Sequence, residues 1–185
     1  MYLLNTIAIL FLISSLVLVV IGKYFILGPS GIIIHKAEPC KEYKNLPIQA
    51  ELRFRMINKT TQVLDGHVFA PFVLENDVGL RLKCGKKEKN NVKQNAFTLE
   101  DNHLCETLNR YVGPLWWDVQ KQIGMEPEKC PIKKGNYNIS GLYLDLSKMK
   151  VQMILEGVFL TRIQFTRKTK TIFCMDFELE TFKRD

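Results

Sequence analysis

The stretch "PIQAELRFRMIN", Pro47–Asn58, constrains the fold more than any other part of the chain. Ile48, Ala50, Leu52, Phe54 and Met56 alternate with Gln49, Glu51, Arg53 and Arg55. Successive side chains of an extended chain point to opposite faces, so only a strand collects all five apolar residues on one side. Such a strand has one wet face and one dry face, and the dry face needs a second layer to cover it.

The same period recurs downstream. After the "NKTT" turn, "VLDGHVFAPFVLEN" carries Leu64, Val68, Phe72 and Leu74 in one parity, with Gly66 and Ala70 between them. Pro71 has no N–H to give a ladder and calls for an edge, a bulge or a break. "DVGLRLKC" gives a third strand with Val78, Leu80 and Leu82 inward. The C-terminal third reads as strands again: "YNISGLYLDL", "KVQMILEGVFLTRIQFT" and "KTIFCMDFELETF". In these, Val151, Met153 and Leu155 share a face, Ile163 and Phe165 lie on a further strand, and Phe173, Met175, Phe177 and Leu179 oppose Cys174, Asp176 and Glu178. Between the two β regions the period changes. From Thr98, the residues Leu104, Leu108 and Tyr111 fall at helical spacing, with Thr98 as N-cap and Asp101 in an acidic first turn. Gly113-Pro114 interrupts, and "LWWDVQKQIG" makes a second short helix ending at Gly124. The expected fold class is mainly β: an antiparallel β-sandwich or β-cup with a short helical insert.

The compartment follows from the N-terminus and the cysteines. The first charged residue is Lys23, preceded by "IAILFLISSLVLVVIG". This run reads as a signal peptide over residues 1–22, cleaved after Gly22, leaving a single secreted domain over 23–185. An uncleaved anchor is the alternative, because no basic segment precedes the apolar run. Cys40, Cys84, Cys105, Cys130 and Cys174 are dispersed, without a C-x-x-C spacing for zinc or a redox dithiol, and read as structural disulfides with one thiol left over. Asn58-Lys59-Thr60 and Asn138-Ile139-Ser140 are acceptor triplets for N-glycans. The net charge of +7 survives cleavage. It suits an acidic ligand or membrane surface; no groove-reading motif supports nucleic acid. "KCGKKEKNNVK" (Lys83–Lys93) and "RKTK" (Arg167–Lys170) read as a solvated loop and a hairpin tip.

Chemistry-bearing motifs are sparse. His35, His67 and His103 are isolated, His67 reading as a partly buried sheet residue, and no H-E-x-x-H or other metal-ligand spacing occurs. "GPSG" at Gly28–Gly31 lacks the nucleophile-elbow spacing and precedes the expected core. No cofactor is expected, and the chain reads as non-catalytic. The apolar side chains carry more information. Phe54, Met56, Phe72, Leu108, Trp116, Trp117, Met153, Leu155, Phe165, Phe173, Met175 and Phe177 are the candidate lining of an apolar pocket between splayed sheets. Neighbouring helix residues lie about 100° apart, so of Trp116 and Trp117 only one can pack inward.

Cys105 on a helix, an apolar-aromatic stretch, then Cys130-Pro131 with Gly135 and Tyr137, and later Gly157-Val158-Phe159, resemble a family of insect secreted proteins. That family includes chemosensory groups and is related to the ganglioside activator protein and the ML lipid-recognition domains. The resemblance implies an antiparallel β-cup around a hydrophobic pocket that binds a lipid or other apolar small molecule. It also implies the disulfides Cys40–Cys174 and Cys105–Cys130, with Cys84 unpaired. That is fewer disulfides than the ganglioside activators carry. Lys86, Lys87 and Lys89 near the rim would attract an anionic headgroup. The rival expectation is a cup filled by its own side chains, acting as an extracellular partner of a receptor, channel or membrane surface.

Overall fold

The computed structural model describes residues 30–59, 61–88, 92–145, 148–150 and 156–183. The segment read as a signal peptide, and the pocket candidates Met153 and Leu155, lie outside them. Among the described residues, eight strands make two antiparallel sheets: β1 (Ser30–Pro39), β2 (Gln49–Asn58), β3 (Thr61–Ala70), β4 (Val78–Lys87), β5 (Val92–Asp101), β6 (Gly135–Leu144), β7 (Gly157–Arg167) and β8 (Lys170–Lys183). The larger sheet runs β1-β8-β7-β4-β5 and the smaller one β2-β3-β6. Between β5 and β6 sit two short helices, α1 (Leu104–Thr107) and α2 (Pro114–Gln122), joined by a π turn over Leu108–Val112.

The dry faces of the two sheets meet. Ile48, Leu74, Val78, Leu80, Leu104, Ile132, Phe173 and Met175 form a buried cluster from the large sheet, the insert and the connecting segments, and Ala50, Leu52, Val68 and Tyr137 of the small sheet pack against it. A second cluster joins Leu64, Ile139, Leu142 and Leu144 of the small sheet to Leu115 of α2. At a typical ~25 cal/mol per Å² of apolar area, this shared burial is the main favourable term. The chain breaks at Pro71, directly after β3.

Two strands depart from the sequence reading. β1 pairs with β8 along its whole length, so Ser30 and Gly31 of "GPSG" belong to the large sheet and do not precede the core. Its consecutive Ile32, Ile33 and Ile34 show no alternation from which a half-buried strand could be read. Residues Val92–Asp101 form β5, so Thr98 is a strand residue, and His103 occupies the N-cap of α1. Tertiary pairing with β4 overrides the local cap signal there. Within the Lys83–Lys93 segment, Lys83–Lys87 are strand residues of β4 and not loop, and Lys86 pairs with Lys93 of β5. "RKTK" does span a hairpin tip, between β7 and β8. His67 is exposed on β3, not partly buried, because its parity opposes that of Val68.

Candidate functional site

The strands define two ends of the sandwich. At one end, Cys40 is bonded to Cys174 with Cα atoms 5.5 Å apart, Ile48 N–H donates to the Ile172 carbonyl at 3.2 Å, and Leu74 bridges Ile132. We term this the base. At the other end, the lip, β2 ends at Asn58 and β4 at Lys87. The two long sides are closed differently. On one, the buried Gln62 of β3 uses both ends of its amide on β1: Nε2 donates to the Ile34 carbonyl, and Oε1 accepts from Ile34 N–H, both at 2.8 Å. On the other, α2 lies against β6, where Gln122 Nε2 donates to the Ser140 carbonyl at 3.0 Å.

The insert is braced from within. Cys105 is bonded to Cys130, Cα atoms 6.0 Å apart, and these are the two disulfide pairs that the resemblance implies. Gln120, fully buried, donates to the Lys129 carbonyl at 2.8 Å and accepts from Glu128 N–H at 2.9 Å. Gly113, at φ +60°, allows the sharp entry into α2, and Pro114 starts the helix where its missing N–H costs nothing.

Burial along the inward faces of β2 and β8 decreases from base to lip, whereas on β7 Phe165 at the base is half-buried and Phe159 near the lip is buried. Ile48, just before β2, is 3% exposed; Ala50, Leu52 and Phe54 on β2 are half-buried; Met56, of the same parity, is 47% exposed. On the large sheet Phe173 and Met175 are buried, and Phe177 and Leu179 are half-buried. Leu52 touches both clusters and so stands between them. Seven of the pocket candidates join one cluster: Phe72, Leu108, Trp116, Phe165, Phe173, Met175 and Phe177. Phe54 packs against the other cluster. Trp117 joins neither. Its Nε1 donates to Asn109 Oδ1 at 3.2 Å, and Lys150 Nζ lies 5.0 Å over its ring. Trp116 is the inward one, and its indole N–H is buried with no hydrogen-bond partner. Phe72 is capped at the base by the Arg167 guanidinium, 4.3 Å from its ring centroid.

The polar groups fall mostly on outer faces. Arg162 grips Asp176 with two bonds of 2.7 and 2.8 Å and also reaches Glu42, which holds its guanidinium charged well beyond the ordinary range. Arg81 pairs with Glu100 at 2.6 Å and Lys87 with Glu178 at 3.0 Å. Lys87 is therefore neutralised and is not the free rim cation expected from sequence; Lys89 lies outside the described residues. Cys84 shares the inward parity of Leu80 and Leu82 and has no disulfide. Burial pushes its thiol pKa up, partly offset by the Thr161 hydroxyl donating to Sγ at 3.3 Å, so it is a poor nucleophile. Among the described residues no group of three His, Cys, Asp or Glu is disposed to hold a metal ion. Asn58 and Asn138 are both exposed, and Ile139 beside the latter is buried.

No protein-family model and no curated protein sequence matches the chain. Among solved structures it is similar to the crystal structure of chicken MD-1 complexed with lipid IVa. The two share 13% identity over 84% of this chain and 99% of that one, with a TM-score of 0.36. No family is thereby assigned. Gln62 and Gln120 are the site-forming residues that the sequence reading missed; Lys86 was expected at the rim, and its inward parity is what the structure adds. The alternation in "GLRLKCGK" carries the signal for Lys86, since it shares the parity of Leu80 and Leu82.

Proposed function

We propose that this chain is a non-catalytic binding protein that holds a lipid or another apolar small molecule between its two sheets, entered at the lip. The observation that supports the reading is the graded burial. Along β2 and β8 the inward apolar side chains pass from buried at Ile48, Phe173 and Met175 to half-buried at Phe54 and Phe177, while Phe159 of β7 stays buried near the lip. Apolar surface left partly uncovered there gains from a ligand that removes it from water. Each methylene of an acyl chain lodged there would gain about 0.8 kcal/mol from desolvation, against the cost of ordering the chain. Residues 1–22 would export the protein, and the two disulfides and the water-facing Asn58 and Asn138 suit an oxidising compartment with glycosylation. In such a setting a held apolar ligand is also compatible with the chemosensory role that the resemblance implies. Among the described residues no helix is long and apolar enough to cross a membrane.

The test uses purified, delipidated protein. It should extract lipid from vesicles and protect an apolar fluorophore, and absence of both overturns the reading. A second reading, an extracellular interaction protein acting on a receptor or channel without bound ligand, is favoured by one observation. Met56 and Ile57, beside the β2–β3 turn, are 47% and 57% exposed and offer an apolar contact to a partner. Under that reading, replacing both by Ser abolishes partner binding while ligand uptake stays absent throughout.

A further inference from the structure

Lys86 stands on the wrong side of its strand for an ordinary surface lysine. β4 pairs with β7 in continuous register, Leu80 opposite Phe165, Leu82 opposite Ile163, Cys84 opposite Thr161 and Lys86 opposite Phe159. All eight share one face, on which Leu80, Ile163 and Phe165 belong to or pack against the inter-sheet core. The opposite face of β4 carries Arg81 and Lys87, which are paired with Glu100 and Glu178. Across the inward parity of β4 from Leu80, β7 from Phe159 to Phe165 and β8 from Phe173 to Thr181, Lys86 is the single charged residue.

Its surroundings leave that charge unmatched. Among the described residues Lys86 has no carboxylate partner; its ammonium lies 6.0 Å from the centroid of the buried Phe159 ring, the outer limit of a cation–π contact. Gly157 makes room for the stem, since a Cβ there would come within 2.9 Å of Lys86 Cε. Lys86 as a residue is half-buried, and a cation at the edge of an apolar face is a ready partner for an anion. Near the lip, beside the half-buried Phe177 and Leu179, such an anion would be the polar end of an apolar chain.

On the basis of the binding reading above, we infer that the ligand is an anionic amphiphile, its carboxylate or phosphate head held by Lys86 at the lip and its tail directed between the sheets. The ammonium supplies up to three N–H donors to the head, and charge-assisted bonds discriminate against a neutral head.

Displacement of the neutral fluorophore N-phenyl-1-naphthylamine from delipidated protein tests this, with oleate, oleyl phosphate, methyl oleate and oleylamine as competitors below their micellar concentrations. Oleate or oleyl phosphate should displace the probe at about tenfold lower concentration than methyl oleate, with oleylamine weakest. Lys86→Gln should erase that preference while leaving methyl oleate unchanged, which also reports an intact fold; Lys86→Arg should retain it, and Lys87→Gln should not alter it. If methyl oleate competes as well as oleate, or Lys86→Gln keeps the preference, the inference is overturned while the binding reading stands. If the protein binds neither probe nor competitor, both fall together.

Discussion

Gly141 sits at φ +62° inside β6, where the register against β3 slips between Leu64 and Gly66. Its N–H donates to Asp65 Oδ1 at 2.8 Å, so the bulge is fastened to the neighbouring strand. A Cβ there would meet nothing within 4 Å, so Gly141→Ala tests backbone conformation alone. It should cost about 1 kcal/mol, the usual penalty for a left-handed non-glycine residue, read as a lower denaturant midpoint at unchanged slope. A second residue-scale effect concerns acid. The His103 N–H bonded to Asp101, and behind it the Thr107 hydroxyl and Arg110, hold the Asp101 carboxyl below its ordinary pKa. A depressed carboxylate stabilises fully above its unfolded pKa of about 3.9, and that stability is lost as pH falls through the lower folded value. Asp65, Asp118, Glu42 and Glu100 are shifted the same way. Thermal midpoints should therefore drop as pH falls below about 4, and Asp101→Asn should flatten part of that drop.

At the scale of elements, β1 depends on a contact that no periodicity announces. Gln62 satisfies both backbone groups of Ile34 next to the slip in β1–β8 register between Ile34 and Lys36. Gln62→Ala would orphan that pair, costing about 2 kcal/mol, with amide exchange in β1 accelerating more than in β7. Strands with one wet face were readable from sequence: β2 declared itself through Leu52 and Phe54 against Glu51 and Arg53, and β8 through Met175 and Phe177 against Asp176 and Glu178. β1 was not, since three successive isoleucines carry no period. β5 shows its alternation only at Phe97 and Leu99, and the acidic Glu100-Asp101 that follows mimics a helix start. The pocket candidates were legible as inward apolar residues; which of them lie at the base depended on how the two sheets meet, and pairwise sequence patterns do not encode that. The insert is the clearest case of local design. Beyond Cys105–Cys130, Gln120 fixes Glu128 and Lys129, and Asn109 Nδ2 donates to the Glu128 carbonyl at 2.9 Å. Replacing both Cys105 and Cys130 by Ser removes a closure 25 residues apart in sequence, worth about 3 kcal/mol in the chain-entropy view. The remaining bonds should keep the insert docked at low denaturant.

Over the whole molecule, stability and binding should separate along the axis from base to lip. Met175 is 1% exposed in the base cluster, so Met175→Ala should cost about 2–5 kcal/mol. Phe177 lies two residues further along the same face of β8, half-buried, and Phe54 has the same standing on the opposite sheet. Truncating a half-buried ring forfeits less transfer energy and leaves little sealed cavity, so Phe54→Ala and Phe177→Ala should each cost under about 2 kcal/mol. If the space beside these rings receives an apolar ligand, the same two variants should weaken fluorophore binding severalfold, whereas Met175→Ala, assayed well below its melting temperature, should bind almost normally. The reverse ranking would mean that the sheets are packed shut up to the lip by their own side chains. The partly exposed rings would then be surface for a partner, not the wall of a cup.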